Sequence, residues 1–112
     1  MAAQPTQERF LTLASGKSFK LISYGPLNIP ENLNYGRTLE LSYESKVPID
    51  NSAAIEKETA EVWEFLKVEA EKGGYKTVFL RAFGPYDGKI VIGKKSFEIK
   101  FTITENGQWE RK

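Results

Sequence analysis

Apolar and polar residues alternate most cleanly from Arg37 to Lys46, with Leu39, Leu41 and Tyr43 on one side and Thr38, Glu40, Ser42 and Glu44 on the other. This period of two is that of a strand with one wet face. The same alternation returns in Phe97, Ile99, Phe101 and Ile103 against Glu98, Lys100, Thr102 and Thr104. Phe10–Leu13 and Lys17–Tyr24 are rich in strand formers around Ser15-Gly16, which reads as a first hairpin. Gly25-Pro26 is expected to end its second strand, and an irregular loop should follow through Gly36. Tyr75–Phe83 is apolar on both faces, as a central strand would be. Asp87-Gly88 marks a turn, Lys89–Ile92 a short strand, and Asn106-Gly107 a hairpin folding Trp109 back onto the last long strand.

Between these strands the period changes. Asp50, Asn51 and Ser52 are candidate N-caps for a helix that runs to about Lys72 and stops at Gly73-Gly74. At about 100° per residue, Ile55, Thr59, Val62, Trp63, Phe65, Leu66 and Ala70 fall in one arc of roughly 160°. One broad face of the helix is therefore to be buried. The two alternating strands need covering, and a single helix can cover them. The expected architecture is α+β: one long amphipathic helix on one face of an antiparallel sheet of about five strands, because a parallel sheet would need helices on both faces. The opposite face, with Glu40, Ser42, Lys100, Thr102, Phe79 and Arg81, is the first place to look for a partner.

Length supports one domain over residues 1–112, since 112 residues are too few for two ordinary cores. Residues 1–8 read as a loose arm. The net charge of +1 gives no general pull toward nucleic acid or an anionic membrane. No run approaches the roughly 18 apolar residues of a membrane span. The N-terminus lacks a basic region followed by an apolar one, so a cytoplasmic protein is the default. A periplasmic or secreted one follows if Ala2-Ala3-Gln4 is the remnant of a cleaved export signal.

The absence of histidine and cysteine excludes serine–histidine triads, cysteine–histidine pairs and histidine-bearing zinc or iron sites within one chain. Ser15-Gly16-Lys17-Ser18 has the ending of a phosphate-binding loop, but Leu11 stands where the earlier glycine is required. No catalytic residue, metal or cofactor is expected. Of the helix carboxylates, only Glu58 and Glu69 enter the apolar arc. They lie eleven residues apart, about 16 Å along the axis, too far to act as a pair. Either could meet Arg81 or Arg37 in an ion pair at the edge of the core.

Lys89, Lys94, Lys95, Lys100, Arg111 and Lys112, interleaved with Tyr86, Phe97, Phe101 and Trp109, give the C-terminal third the composition of an oligonucleotide surface. Phe97 and Phe101, however, share the apolar face and would be core rather than base-stacking. Tyr35, Tyr86 and Trp109 stand at loops or turns where a ligand could lean on them. Trp63, Phe65, Tyr43 and Phe101 could line a pocket between helix and sheet.

Leu39-Glu40-Leu41-Ser42-Tyr43-Glu44-Ser45, Glu58 with Val62-Trp63, Arg81-Ala82 and the closing Phe97–Trp109 segment together resemble a family of small uncharacterised bacterial proteins with no assigned activity. The likeness spans about residues 17–109 and implies a bacterial origin and no site residue. The ending, a strand followed by Asn-Gly and Trp, also resembles the last hairpin of cystatin-like and nuclear-transport-factor-like folds. It implies a cystatin-like or roll-like arrangement. The leading functional expectation is a non-enzymatic protein-binding or accessory module, with a protein partner or a homodimer. A small-molecule pocket using Glu58, Tyr43 or Arg81, and an oligonucleotide surface, are the alternatives. The expected ligand or partner surface is drawn from Glu58, Arg81, Tyr43, Phe79 and Trp109.

Overall fold

A computed structural model of the chain describes residues 9–27, 37–84 and 96–111. The expected arm, the loop with Tyr35, the turn at Asp87-Gly88, the strand at Lys89–Ile92, and Tyr86, Lys94 and Lys95 lie outside the described residues. The elements in chain order are β1 (Arg9–Thr12), β2 (Ser18–Leu27), β3 (Thr38–Glu44), α1 (Ser52–Gly73), β4 (Thr77–Phe83), β5 (Ser96–Ile103) and β6 (Trp109–Arg111). They form an α+β domain in which α1 packs on one face of a six-stranded sheet, with the strands lying side by side in chain order.

The sheet is mixed. Four of its neighbouring pairs are antiparallel, but β3 and β4 run parallel, Thr38 beside Thr77 through to Glu44 beside Phe83. The reason lies in α1. The chain leaves β3 at one end of the sheet, and 22 helical residues, about 33 Å, carry it back to the other. The next strand then starts where β3 started and must follow its direction. One helix suffices here because the four outer strands are antiparallel and leave their second face uncovered by any described layer.

Helix boundaries follow from their caps. The Asn51 side chain accepts the Ala54 N–H at 3.2 Å, and Gly74 adopts a left-handed φ of 70° that lets its N–H and that of Tyr75 close onto Ala70 and Glu71 carbonyls. Ile55, Glu58, Thr59, Val62, Leu66 and Ala70 are buried. They meet Leu39, Leu41 and Tyr43 on β3, Val78, Leu80 and Ala82 on β4, and Ile99 and Phe101 on β5, in one core with Leu11, Leu13 and Phe19.

The strand β2 runs on through Gly25-Pro26 to Leu27 rather than ending there. Among the described residues β1 pairs only with Ser18–Leu21, so at Pro26 β2 has one described neighbour, and a residue without an N–H is tolerated on such a local edge. A bulge between Leu21 and Ser23 resets the register, leaving Leu21 and Tyr24 on the helix side. The hairpins at Gly16 and Gly107 close alike, each glycine taking a positive φ. Leu13 N–H bonds Lys17 O at 2.8 Å in the first, and Thr104 N–H bonds Gln108 O at 2.7 Å in the second.

Candidate functional site

The five residues expected to form a surface are distributed over three places. Tyr43 and Glu58 meet inside the domain. The Tyr43 hydroxyl donates to Glu58 Oε1 at 2.9 Å, and the Lys46 N–H donates to Oε2 at 3.0 Å. Glu58 is 7% exposed and Tyr43 fully buried. Burial, reinforced by the neighbouring Glu58 charge, pushes the Tyr43 phenol well above its ordinary value. Each carboxylate oxygen has a donor, so the pair ties the start of α1 to the end of β3.

Arg81 and Phe79 lie on the opposite side of the sheet. Arg81 Nε pairs with Glu98 at 2.8 Å, across from it on β5, and its guanidinium stands 5.9 Å from the Phe83 ring centre. The expectation that Arg81 or Arg37 would meet Glu58 or Glu69 is corrected: alternate residues of a strand face opposite ways, and Arg81 follows the face of Phe79 rather than that of Leu80. Arg37 instead donates to the Gly73 carbonyl at 2.7 Å and lies over the Tyr75 ring at 4.7 Å. Glu69 stands near Lys72, at 4.0 Å.

Trp109 is at the far end, edge-on to Trp63 with ring centres 5.5 Å apart, and its indole Nε1 is buried with no hydrogen-bond partner among the described residues. Trp63 in turn stacks flat on Phe101 at 3.7 Å. The four residues expected to line one pocket do not converge: Trp63 meets Phe101, while Phe65 meets Tyr24 at 6.2 Å and Tyr43 meets Phe19 at 5.2 Å. Beside them lies a concavity of ≈ 140 Å³ bordered by Glu56, Thr59, Ala60 and Arg111. Larger ones open elsewhere. One of ≈ 410 Å³ lies between Tyr24, Pro26, Leu39, Glu69 and Tyr75, and one of ≈ 320 Å³ lies between Leu13, Ser15, Glu61, Glu64 and Phe65.

The open face of the sheet mixes apolar and charged side chains. Strand parity places Phe10 on β1, Ile22 and Leu27 on β2, and Phe79 and Phe83 on β4 on this side. Phe10 is 58%, Ile22 48% and Leu27 42% exposed. At its centre the Ser23 hydroxyl donates to Glu40 Oε1 at 2.7 Å, and the Ser42 hydroxyl donates to the same oxygen. Thr38, Ser42 and Thr77 are nonetheless buried, so this side is less wet than alternation alone implied. Among the described residues it carries Lys20, Arg81 and Lys100 against Glu40, Glu44, Glu98 and Glu110. The sequence pattern pointed to Phe79 here but missed Phe10, Ile22 and Leu27. Phe10 could have been assigned from its parity with Leu11, whereas Ile22 depends on the bulge, which no residue type announces.

Comparison with family models, with curated proteins and with known structures finds no match to this chain. No helix among the described residues is long and apolar enough to cross a membrane.

Proposed function

We propose that the protein is a non-enzymatic binding module that engages another protein through the open face of its sheet. The observation that carries this reading is the exposure of Phe10, Ile22 and Leu27 on one side of the β1–β2 wing, on a face that no described layer covers. Interspersed charges of both signs suit a protein surface better than phosphate, which calls for an excess of cations. The oligonucleotide reading has correspondingly less support.

The test is quantitative capture of partners with the wild-type chain and with Ile22→Lys/Leu27→Lys, using Val68→Lys, on the exposed side of α1, as the control. A partner retained by wild type and Val68→Lys and lost by the double variant is the expected result. Retention of every captured protein by the double variant would overturn the reading.

A second reading, a small-molecule binder, has one specific support. The ≈ 410 Å³ concavity is within the range of ligand sites, and its Tyr75 wall is built: a Cβ on Gly73 would stand 2.4 Å from the ring, and Arg37 covers that ring. A saturable rise in thermal midpoint with one class of metabolite, abolished by Tyr75→Ala, is the expected outcome for this reading. Its absence across a broad panel counts against it.

A further inference from the structure

The two edges of the sheet differ. β6 is three residues long, two of them the charged Glu110 and Arg111, and Arg111 is clamped to Glu56 on α1 by bonds of 2.7 and 2.9 Å. Such an edge is protected against further pairing. β1 carries Phe10, the most exposed large apolar side chain among the described residues, and no described strand lies on its outer side.

The hydrogen-bond phase of the first hairpin shows what that edge offers. Leu13 bonds Lys17, so alternation makes Leu11 with Phe19, and Arg9 with Leu21, the bonded pairs. Phe10 and Thr12, opposite Lys20 and Ser18, therefore turn their backbone N–H and C=O away from β2. Two residues with outward groups, spaced by one, form a self-complementary antiparallel edge: Phe10 can bond the partner's Thr12, and Thr12 the partner's Phe10, about a two-fold axis at Leu11.

This register has a consequence on the helix side. Arg9 lies on the face of Leu11 and comes opposite the partner's Leu13, at the mouth of the ≈ 320 Å³ concavity that Leu13 shares with Glu61, Glu64 and Phe65. Glu61 is already held by Lys17 at 2.9 Å. Within one chain neither Arg9 nor Glu64 has an ion-pair partner among the described residues. The two-fold supplies each with the other, twice.

We propose that the chain forms a symmetric dimer by antiparallel pairing of β1 with β1 of a second copy, with Arg9 of each copy seated at Glu64 of the other. The pairing extends the sheet to twelve strands. A few residues a side fall short of the about 800 Å² per partner of a standard interface. The dimer is therefore weak and reversible, with a dissociation constant on the order of 10–100 μM. It is independent of what the open face binds.

Sedimentation velocity over a concentration series tests it. Arg9→Glu and Glu64→Arg each weaken the dimer tenfold or more, by roughly the worth of a close charge pair. The double variant Arg9→Glu/Glu64→Arg restores it. Phe10→Pro abolishes it while leaving the β1–β2 hairpin bonded, since the lost N–H faces outward. A monomer up to about 1 mM, well above the expected constant, overturns the proposal. So does a dimer indifferent to the charge exchange. Because the Arg9 and Glu64 variants leave Phe10, Ile22 and Leu27 untouched, those variants read loss of dimerisation separately from loss of an open-face partner, and Phe10→Pro is read for dimerisation alone.

Discussion

Glu58 is a carboxylate inside a core, and what makes that tolerable is that both its oxygens are satisfied. Removing the acceptor strands two buried donors, the Tyr43 hydroxyl and the Lys46 N–H. Glu58→Leu is expected to lower the unfolding free energy by about 2–4 kcal/mol in urea melts, and Glu58→Gln, which keeps one acceptor, by about 1–2 kcal/mol. Equal losses for the two variants would show that the hydrogen bonds are not what stabilises the site. Tyr43 adds a pH dependence of definite sign. Its folded-state pKa is raised above the ordinary 10.0, so the stabilisation is complete below that value and is lost as pH rises above it. Alkaline melts should fall by about 1.4 kcal/mol per pH unit from this residue until Tyr43 itself ionises. The fall should be shallower in Tyr43→Phe. An unchanged slope would assign the alkaline limb to other groups, Tyr24 being a candidate because burial raises it too.

At the scale of elements, α1 is held to both wings of the sheet from above. Lys17, in the turn between β1 and β2, reaches Glu61, and Arg111 on β6 reaches Glu56 with two parallel bonds. The guanidinium beside Glu56 holds its carboxyl below the usual range, and Arg111 is raised in return. Both groups are well exposed, so this strap fixes position more than it adds stability. Its contribution is present at neutral pH and disappears as acid protonates Glu56. NMR titration of Arg111→Ala should show the Glu56 pKa rising toward 4.5. An unmoved Glu56 would mean that the fork does not persist in solution. The helix itself was legible in the sequence because its start, its stop and its apolar arc are all local signals. The parallel partnership of β3 and β4 was not. It is decided by where a 22-residue helix delivers the chain, a matter of length and direction that no strand pattern carries.

For the molecule as a whole, the division into a covered and an uncovered sheet face could be read from alternation in β3 and β5, and the structure shows it. What alternation could not tell was which side of that division each chemically interesting residue would join. Tyr43 and Glu58 went into the core, Arg81 and Phe79 to the open side, and Trp109 against Trp63 in the middle of the helix. A site assembled from their names alone would have joined groups on opposite faces of one sheet. Arg9 on the edge strand and Glu64 on α1 carried no signal in one dimension, since each is an ordinary surface charge until the strand phase is known.

The lone parallel pair also governs how the fold is reached. Both outer hairpins close over a few residues around a glycine turn, and can form early and independently. The β3–β4 pair joins Thr38 to Thr77 across the whole length of α1. The search for that contact carries the largest loop-closure entropy among the strand pairings. That contact is therefore expected to limit the folding rate more than either hairpin does, so that stabilising a hairpin turn should leave the refolding rate nearly unchanged.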